Sequence, residues 1–247
     1  MGTASVAVIG LGRIGRVHAE VIQKHVDAAK VKYAVDVNLN AEMESWAASI
    51  GIPHTAPEPS AAFADPEIKA IYICTSTNTH SEFISLAARS GKHIFCEKPL
   101  DSDLTRLARA LKEVDKAGVL FQTGLMRRFD RNHSMVRKTI ASGKIGRPQM
   151  IKLTGRDTLI SPFDYLKVSG GIFFDMMIHD FDMIRFLSGS EVDEVYATGS
   201  VFVDSRLGEI PDVDTAVAVL RLVDGVIAVV DSGRQAFYGH DQRYEVY

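Results

Sequence analysis

Two scarcities narrow the compartment before any motif is read. The 247 residues include two cysteines, Cys74 and Cys96, too few for the disulfide framework of a small secreted domain. Both fall near the ends of apolar segments and read as small core side chains carrying free thiols, the usage expected of a cytoplasmic enzyme. Long hydrophobic runs are lacking as well. No apolar stretch reaches the ~20 residues that cross a bilayer, and the first residues show neither the basic flank nor the apolar core of a secretory signal. An excess of basic charge is also missing: 28 Lys and Arg against 31 Asp and Glu leave a formal charge of -3, which argues against nucleic acid as the main partner. The basic cluster Arg127-Arg128-Phe129-Asp130-Arg131 is interrupted by an acid and reads as a solvated or anion-contacting turn.

What is present is the composition of a globular protein, 46% hydrophobic and 24% charged, with length for one large domain or two medium ones. Its organising stretch is the β-branched run Val6-Ala7-Val8-Ile9 followed by Gly10-Leu11-Gly12-Arg13-Ile14-Gly15. The run lacks polar alternation, as a buried parallel strand does. Glycines at this spacing serve a tight turn, a backbone that approaches a pyrophosphate, and a helix packed closely on its strand. A glycine-rich turn without a ligand is the plainer alternative. A second apolar run, 31–35, ends in Asp36, where an acid would bind the adenosine ribose hydroxyls. Residues 37–40 contain no Arg or Lys to receive a 2′-phosphate, so NAD is expected rather than NADP.

Strand and helix signals alternate as far as Thr123, in the manner of a doubly wound parallel sheet, and residues 1–124 are expected to form a dinucleotide-binding domain. Residues 70–74 and 92–96 are further buried strands. The first runs into Thr75, Asn78 and His80 at its carboxyl end, polar side chains suited to a ligand crevice or to simple helix capping. The second delivers Glu97, Lys98 and Pro99 to the same edge. Beyond Gly124 come a helix over 132–141, a strand from 149, a helix over 172–187 opened by Gly170-Gly171, and alternating strands over 194–204, 215–222, 226–233 and 243–247. The middle pair of these strands is joined by Val223-Asp224-Gly225, a hairpin signal. Residues 125–247 are therefore expected to form a second domain of α+β class with an open, mainly antiparallel sheet solvated on one face.

Two places carry candidate chemistry. Lys98 stands at a strand's carboxyl end between Glu97 and Pro99, a position suited to proton transfer beside a nicotinamide ring; a surface lysine paired with Glu97 is the alternative. Asp175, His179 and Asp182 stand at i, i+4 and i+7 of the expected helix 172–187 and would share one stripe among Phe, Met and Ile. A histidine there suits a base that takes an alcohol's hydroxyl proton as hydride leaves, with Asp175 orienting it. The stripe could instead be the solvent face of an amphipathic helix, or a metal site. No third and fourth ligand cluster accompanies it, and no metal is expected.

Taken together, the glycine motif, Glu97-Lys98-Pro99, and Gly170-Gly171 followed by Asp175 and His179 resemble the Gfo/Idh/MocA oxidoreductases over nearly the whole chain. Within that family, residues 124–130 and 175–182 look most like the branch that oxidises inositols. The resemblance implies a Rossmann domain joined to a domain whose open sheet makes homo-oligomers, dimers or tetramers. It implies Lys98, Asp175 and His179 as the catalytic group, Arg127 and Asp157 as further substrate contacts, and Gly10, Gly12, Arg13, Ile14, Gly15, Asp36, Thr75, Asn78, His80, Glu97 and Lys98 around NAD. A cis Lys98-Pro99 bond is part of the same expectation. The activity implied is oxidation of a secondary ring alcohol of a cyclitol or sugar, myo-inositol to its 2-keto product foremost. Relatives continue for several dozen residues beyond the position of Tyr247, so the second sheet is expected to be incomplete. A dinucleotide-binding protein without turnover is the rival reading.

Overall fold

The computed structural model describes residues 2–247. The chain divides into two compact units, one ending at Gly124 and the other spanning Leu125–Tyr247.

The N-terminal unit runs β1 (Ala4–Ile9), α1 (Arg13–His25), β2 (Ala29–Val35), α2 (Ala41–Ser49), β3 (His54–Ala56), α3 (Ser60–Ala64), β4 (Ile68–Ile73), α4 (Thr77–Arg89), β5 (His93–Cys96), α5 (Leu104–Ala117) and β6 (Phe121–Thr123). Its six strands lie in the order β3-β2-β1-β4-β5-β6, every pair parallel, which is the expected doubly wound sheet. Period-two geometry explains the unbroken apolar character of β1. Val6 and Val8 pack with Ala19 and Ile22 of α1, while Ala7 and Ile9 pack with Ile84 of α4 and Val114 of α5. Each face of the strand meets a helical layer, so neither face reads as polar. The strand order reverses between β1 and β4, and there the carboxyl ends of the strands open a crevice.

The C-terminal unit begins with a 3₁₀ turn (Met126–Phe129) and α6 (Arg131–Ala141), then β7 (Met150–Arg156), α7 (Phe163–Leu166), α8 (Gly171–Asp175), α9 (Ile178–Ser188) and β8 (Val192–Ser200). A second 3₁₀ turn (Ser205–Glu209) precedes β9 (Thr215–Leu222), β10 (Ile227–Gly233) and β11 (Asp241–Val246). The sheet order is β11-β7-β10-β9-β8. It is mainly antiparallel, as expected, but β7 and β10 pair in parallel, because the three helices between β7 and β8 are part of a long crossover that brings the chain back in the same direction. Along β9, Ala216, Ala218, Leu220 and Leu222 are buried with Met183, Ile184 and Leu187 of α9. The opposite face exposes Val217 and Val219.

Two elements depart from the sequence expectation by more than a residue or two at their ends. The strand expected to reach residue 204 stops at Ser200, because the N–H groups of Phe202 and Val203 donate to the carboxylate of buried Asp214 at 2.7–3.0 Å instead of to a ladder partner. The helix expected over 172–187 is two helices. At the break the Met177 N–H reaches back five residues to the Ile172 carbonyl (2.9 Å) and the His179 N–H only three, to Met176 (3.3 Å). Asp175 and His179 therefore do not lie one regular turn apart on a single helix.

Candidate functional site

In the N-terminal unit, the three motif glycines have three separate reasons. Gly10 has φ +93° and a Cβ there would stand 2.6 Å from the Cys74 carbonyl oxygen; a Cβ on Gly15 would stand 1.8 Å from the Gly10 carbonyl oxygen. Turn and helix packing thus exclude side chains at both. A Cβ on Gly12 would meet nothing within 4 Å, so the fold itself does not demand that glycine, and the space it leaves lies against the start of α1. That helix has no side-chain cap and no acid in its first turn, and α4, which opens after β4, likewise lacks a side-chain cap. Away from this crevice, Asn40 caps α2 and Asp103 caps α5. Uncapped N–H groups beside an open glycine are where a diphosphate is accommodated. Asp36 Oδ2 accepts from the Leu11 N–H at 2.7 Å and Oδ1 from the Asn38 N–H at 2.8 Å. The carboxylate is thereby fixed over the glycine loop with lone pairs left for ribose hydroxyls. These residues fit a dinucleotide.

The carboxyl ends of β4 and β5 are tied together. His80 is 1% exposed, with Nδ1 2.8 Å from the Pro99 carbonyl oxygen and Nε2 3.0 Å from that of Thr75. It frames the crevice and directs neither ring nitrogen toward a ligand. Thr75 Oγ1 pairs with Thr79 Oγ1 at 2.7 Å. The Lys98-Pro99 peptide is cis, as expected. Glu97 is engaged from α1: His18 Nε2 lies 2.7 Å from its Oε1, and its Oε2 accepts the Lys98 N–H at 3.2 Å. The sequence reading did not single out His18. Just beyond, Asp101 accepts from Ser81 and from Arg106, and the Arg106 guanidinium holds its carboxyl well below the usual carboxylate range.

In the C-terminal unit, acids on and beside α9 meet cations one by one. Asp180, 1% exposed, accepts from Arg127 Nη1, and burial pushes its carboxyl up from the ordinary range against the pull of Arg127. Arg127 also donates to the Tyr244 hydroxyl at 3.3 Å, and burial pushes that phenol up to about 12. Asp182 Oδ2 accepts from Arg128 Nε at 2.8 Å. Asp175 accepts from the Tyr165 hydroxyl (2.7 Å) on Oδ1 and from Arg234 Nη1 (3.2 Å) on Oδ2. With Asp175, Asp180 and Asp182 all buried, the stripe is not the solvent face of an amphipathic helix. His179 is half-buried at the start of α9, and Asp157 follows β7 with Oδ1 3.6 Å from His240 Nδ1. Arg127 is thus held by Asp180 where the sequence expects a substrate contact. Tyr165, Asp180, Asp212 and Arg234 were not singled out in the sequence. The available signal was indirect: several acids in apolar surroundings require cations, and Arg234 directly follows a buried strand.

Residues 4–125 match the model of the oxidoreductase family with an NAD-binding Rossmann fold, and residues 133–247 match the Gfo/Idh/MocA C-terminal domain. The chain belongs to the Gfo/Idh/MocA oxidoreductase family. It is 45% identical over 242 residues to myo-inositol 2-dehydrogenase of Thermotoga maritima, covering 98% of this chain and 72% of that protein. To inositol 2-dehydrogenase of Rhizobium meliloti it is 42% identical, covering 99% and 73%. Its fold matches the solved structure of scyllo-inositol dehydrogenase from Lactobacillus casei with bound NAD(H) and scyllo-inositol at a TM-score of 0.90 and 29% identity, covering 99% of this chain and 73% of that one. As a family member the chain is an NAD-dependent oxidoreductase, with the glycine loop and Asp36 as the residues that would hold the dinucleotide.

Proposed function

We propose that this chain oxidises a secondary ring alcohol of an inositol, myo-inositol to 2-keto-myo-inositol, with NAD. One observation carries the site assignment. Asp175, almost fully buried, has its carboxylate fixed by Tyr165 and Arg234 at the end of the short helix that precedes His179. The relatives' activities support the substrate class, and the polar groups at Arg127, Asp157, Asp175 and His179 suit a ligand rich in hydroxyls.

NAD, when bound, supplies the acceptor for hydride from the carbinol carbon. His179 takes the hydroxyl proton as the C–H electron pair leaves, so that the C–O bond becomes a carbonyl. The family resemblance assigns Lys98 to the reacting hydroxyl and to assisting that proton transfer, Asp175 to orienting the proton-transfer groups, and Arg127 and Asp157 to the substrate's other hydroxyls. In this reading residues 1–124 bind the dinucleotide and residues 125–247 bind substrate and make the homo-oligomer. The buried free thiols of Cys74 and Cys96 suit a reducing, cytoplasmic setting.

The test is NADH formation from NAD and myo-inositol by the wild-type chain and by Lys98→Ala and His179→Ala. Both variants are expected to lose about a hundredfold or more in kcat while still binding NADH. Full activity in either removes that residue from the mechanism. Turnover confined to another polyol redirects the substrate assignment.

A further inference from the structure

We propose that Arg234 is a positioning residue for this reaction, a guanidinium that fixes the Asp175 carboxylate by clamping both ends of the five-residue helix that displays it. The inference rests on the assignment of Asp175 to the catalytic group.

Arg234 follows β10 and is 1% exposed. Its own N–H donates to the Asp214 carbonyl at 2.8 Å, so the side chain springs from a held backbone. Nη1 donates to Asp175 Oδ2 (3.2 Å) and Nη2 to Asp212 Oδ2 (2.9 Å). Asp175 is the last residue of α8. The other oxygen of Asp212 accepts the N–H of Ile172, the second residue of the same helix, at 2.7 Å. One planar fork thus links the two ends of α8. The approach of Asp212 also accounts for Gly171, which has φ +81° and where a Cβ would lie 3.2 Å from Asp212 Oδ1 and 3.4 Å from the Pro211 carbonyl oxygen. With Tyr165 on Oδ1, the Asp175 carboxylate is fixed at both oxygens.

Stability alone is a poor account of this arrangement. One guanidinium faces two carboxylates, its Nε has no hydrogen-bond partner among the described residues, and a buried ionic group is weak evidence for stability because apolar residues of similar volume serve as well or better. Orientation is what the rigid, planar fork supplies, one terminal nitrogen to each carboxylate, and a lysine does not.

Steady-state kinetics with NAD and myo-inositol test the proposal on Arg234→Lys and Asp212→Asn, each with a thermal melt. Arg234→Lys keeps the charge and loses the fork. Its kcat is expected to fall about a hundredfold, the scale of a small misplacement of a catalytic group, with KM unchanged and a larger deuterium isotope effect on kcat from C2-deuterated substrate. Asp212→Asn keeps the guanidinium and loosens its second anchor; it lowers kcat in the same sense by a smaller factor, and it carries the test if Arg234→Lys does not fold. Variants that melt lower yet keep the wild-type kcat and isotope effect overturn the proposal, leaving Arg234 an ion pair of the fold. A wild-type chain that binds NADH but oxidises no polyol overturns the underlying reading instead, a result distinguished by needing no variant.

Discussion

Single residues show why glycine and carboxylate positions here are not interchangeable with their neighbours. Gly10 and Gly15 are excluded from carrying side chains by backbone atoms, whereas Gly12 faces open space, so only the last is explained by a ligand. Asp101 shows the electrostatic counterpart. Its carboxyl titrates well below its ordinary value because Arg106 and Ser81 hold the ionised form. A carboxylate with a depressed folded-state pKa contributes stability that is present above the unfolded-state value, near pH 4, and is lost as pH falls through the folded-state value. The wild-type melting temperature is therefore expected to drop on acidification more steeply than that of Asp101→Asn. Melts recorded between neutral pH and pH 3 check this, and parallel curves would contradict it.

At the scale of elements, local pattern and distant partners divide the chain between them. The strand Thr215–Leu222 was legible in the sequence because its alternation of apolar and polar residues lies within the segment. So was the alternation that makes the first sheet. The break at Met176 and the early end of β8 were not, because each depends on a partner remote in sequence. Arg234, 59 residues from Asp175, holds the end of α8, and Asp214 takes the N–H groups of Phe202 and Val203. The candidate site divides the same way: Gly12, Asp36, Lys98, Asp175 and His179 are proposed from motif, spacing and family resemblance, while the Tyr165 and Arg234 side chains that hold Asp175 were not legible in the sequence. Asp214→Ala would take this acceptor from the amides of Phe202 and Val203, two exposed residues, at a cost of about 1 kcal/mol. Denaturant unfolding of that variant checks the figure, and a wild-type midpoint would show that water satisfies the amides.

For the whole molecule, the second sheet carries the prediction about assembly. Cross-strand register places Tyr196, Val219 and Val229 in one row on the face away from the helices, and Val217, Val219, Ile227 and Tyr196 are exposed there. We propose that this exposed apolar row is an interface between copies. The wild-type chain is expected to run as a dimer or tetramer in light scattering, and Val219→Glu to shift it to the monomer with its melting temperature little changed. A monomeric wild type would remove the sheet from that role.

The central claim is hydride transfer from an inositol carbon, and isotope tracing reaches it most directly. Wild-type chain incubated with NAD and C2-deuterated myo-inositol is expected to yield reduced cofactor carrying one deuterium together with the 2-keto product. Cofactor that stays oxidised, or that is reduced without the label, would contradict the account.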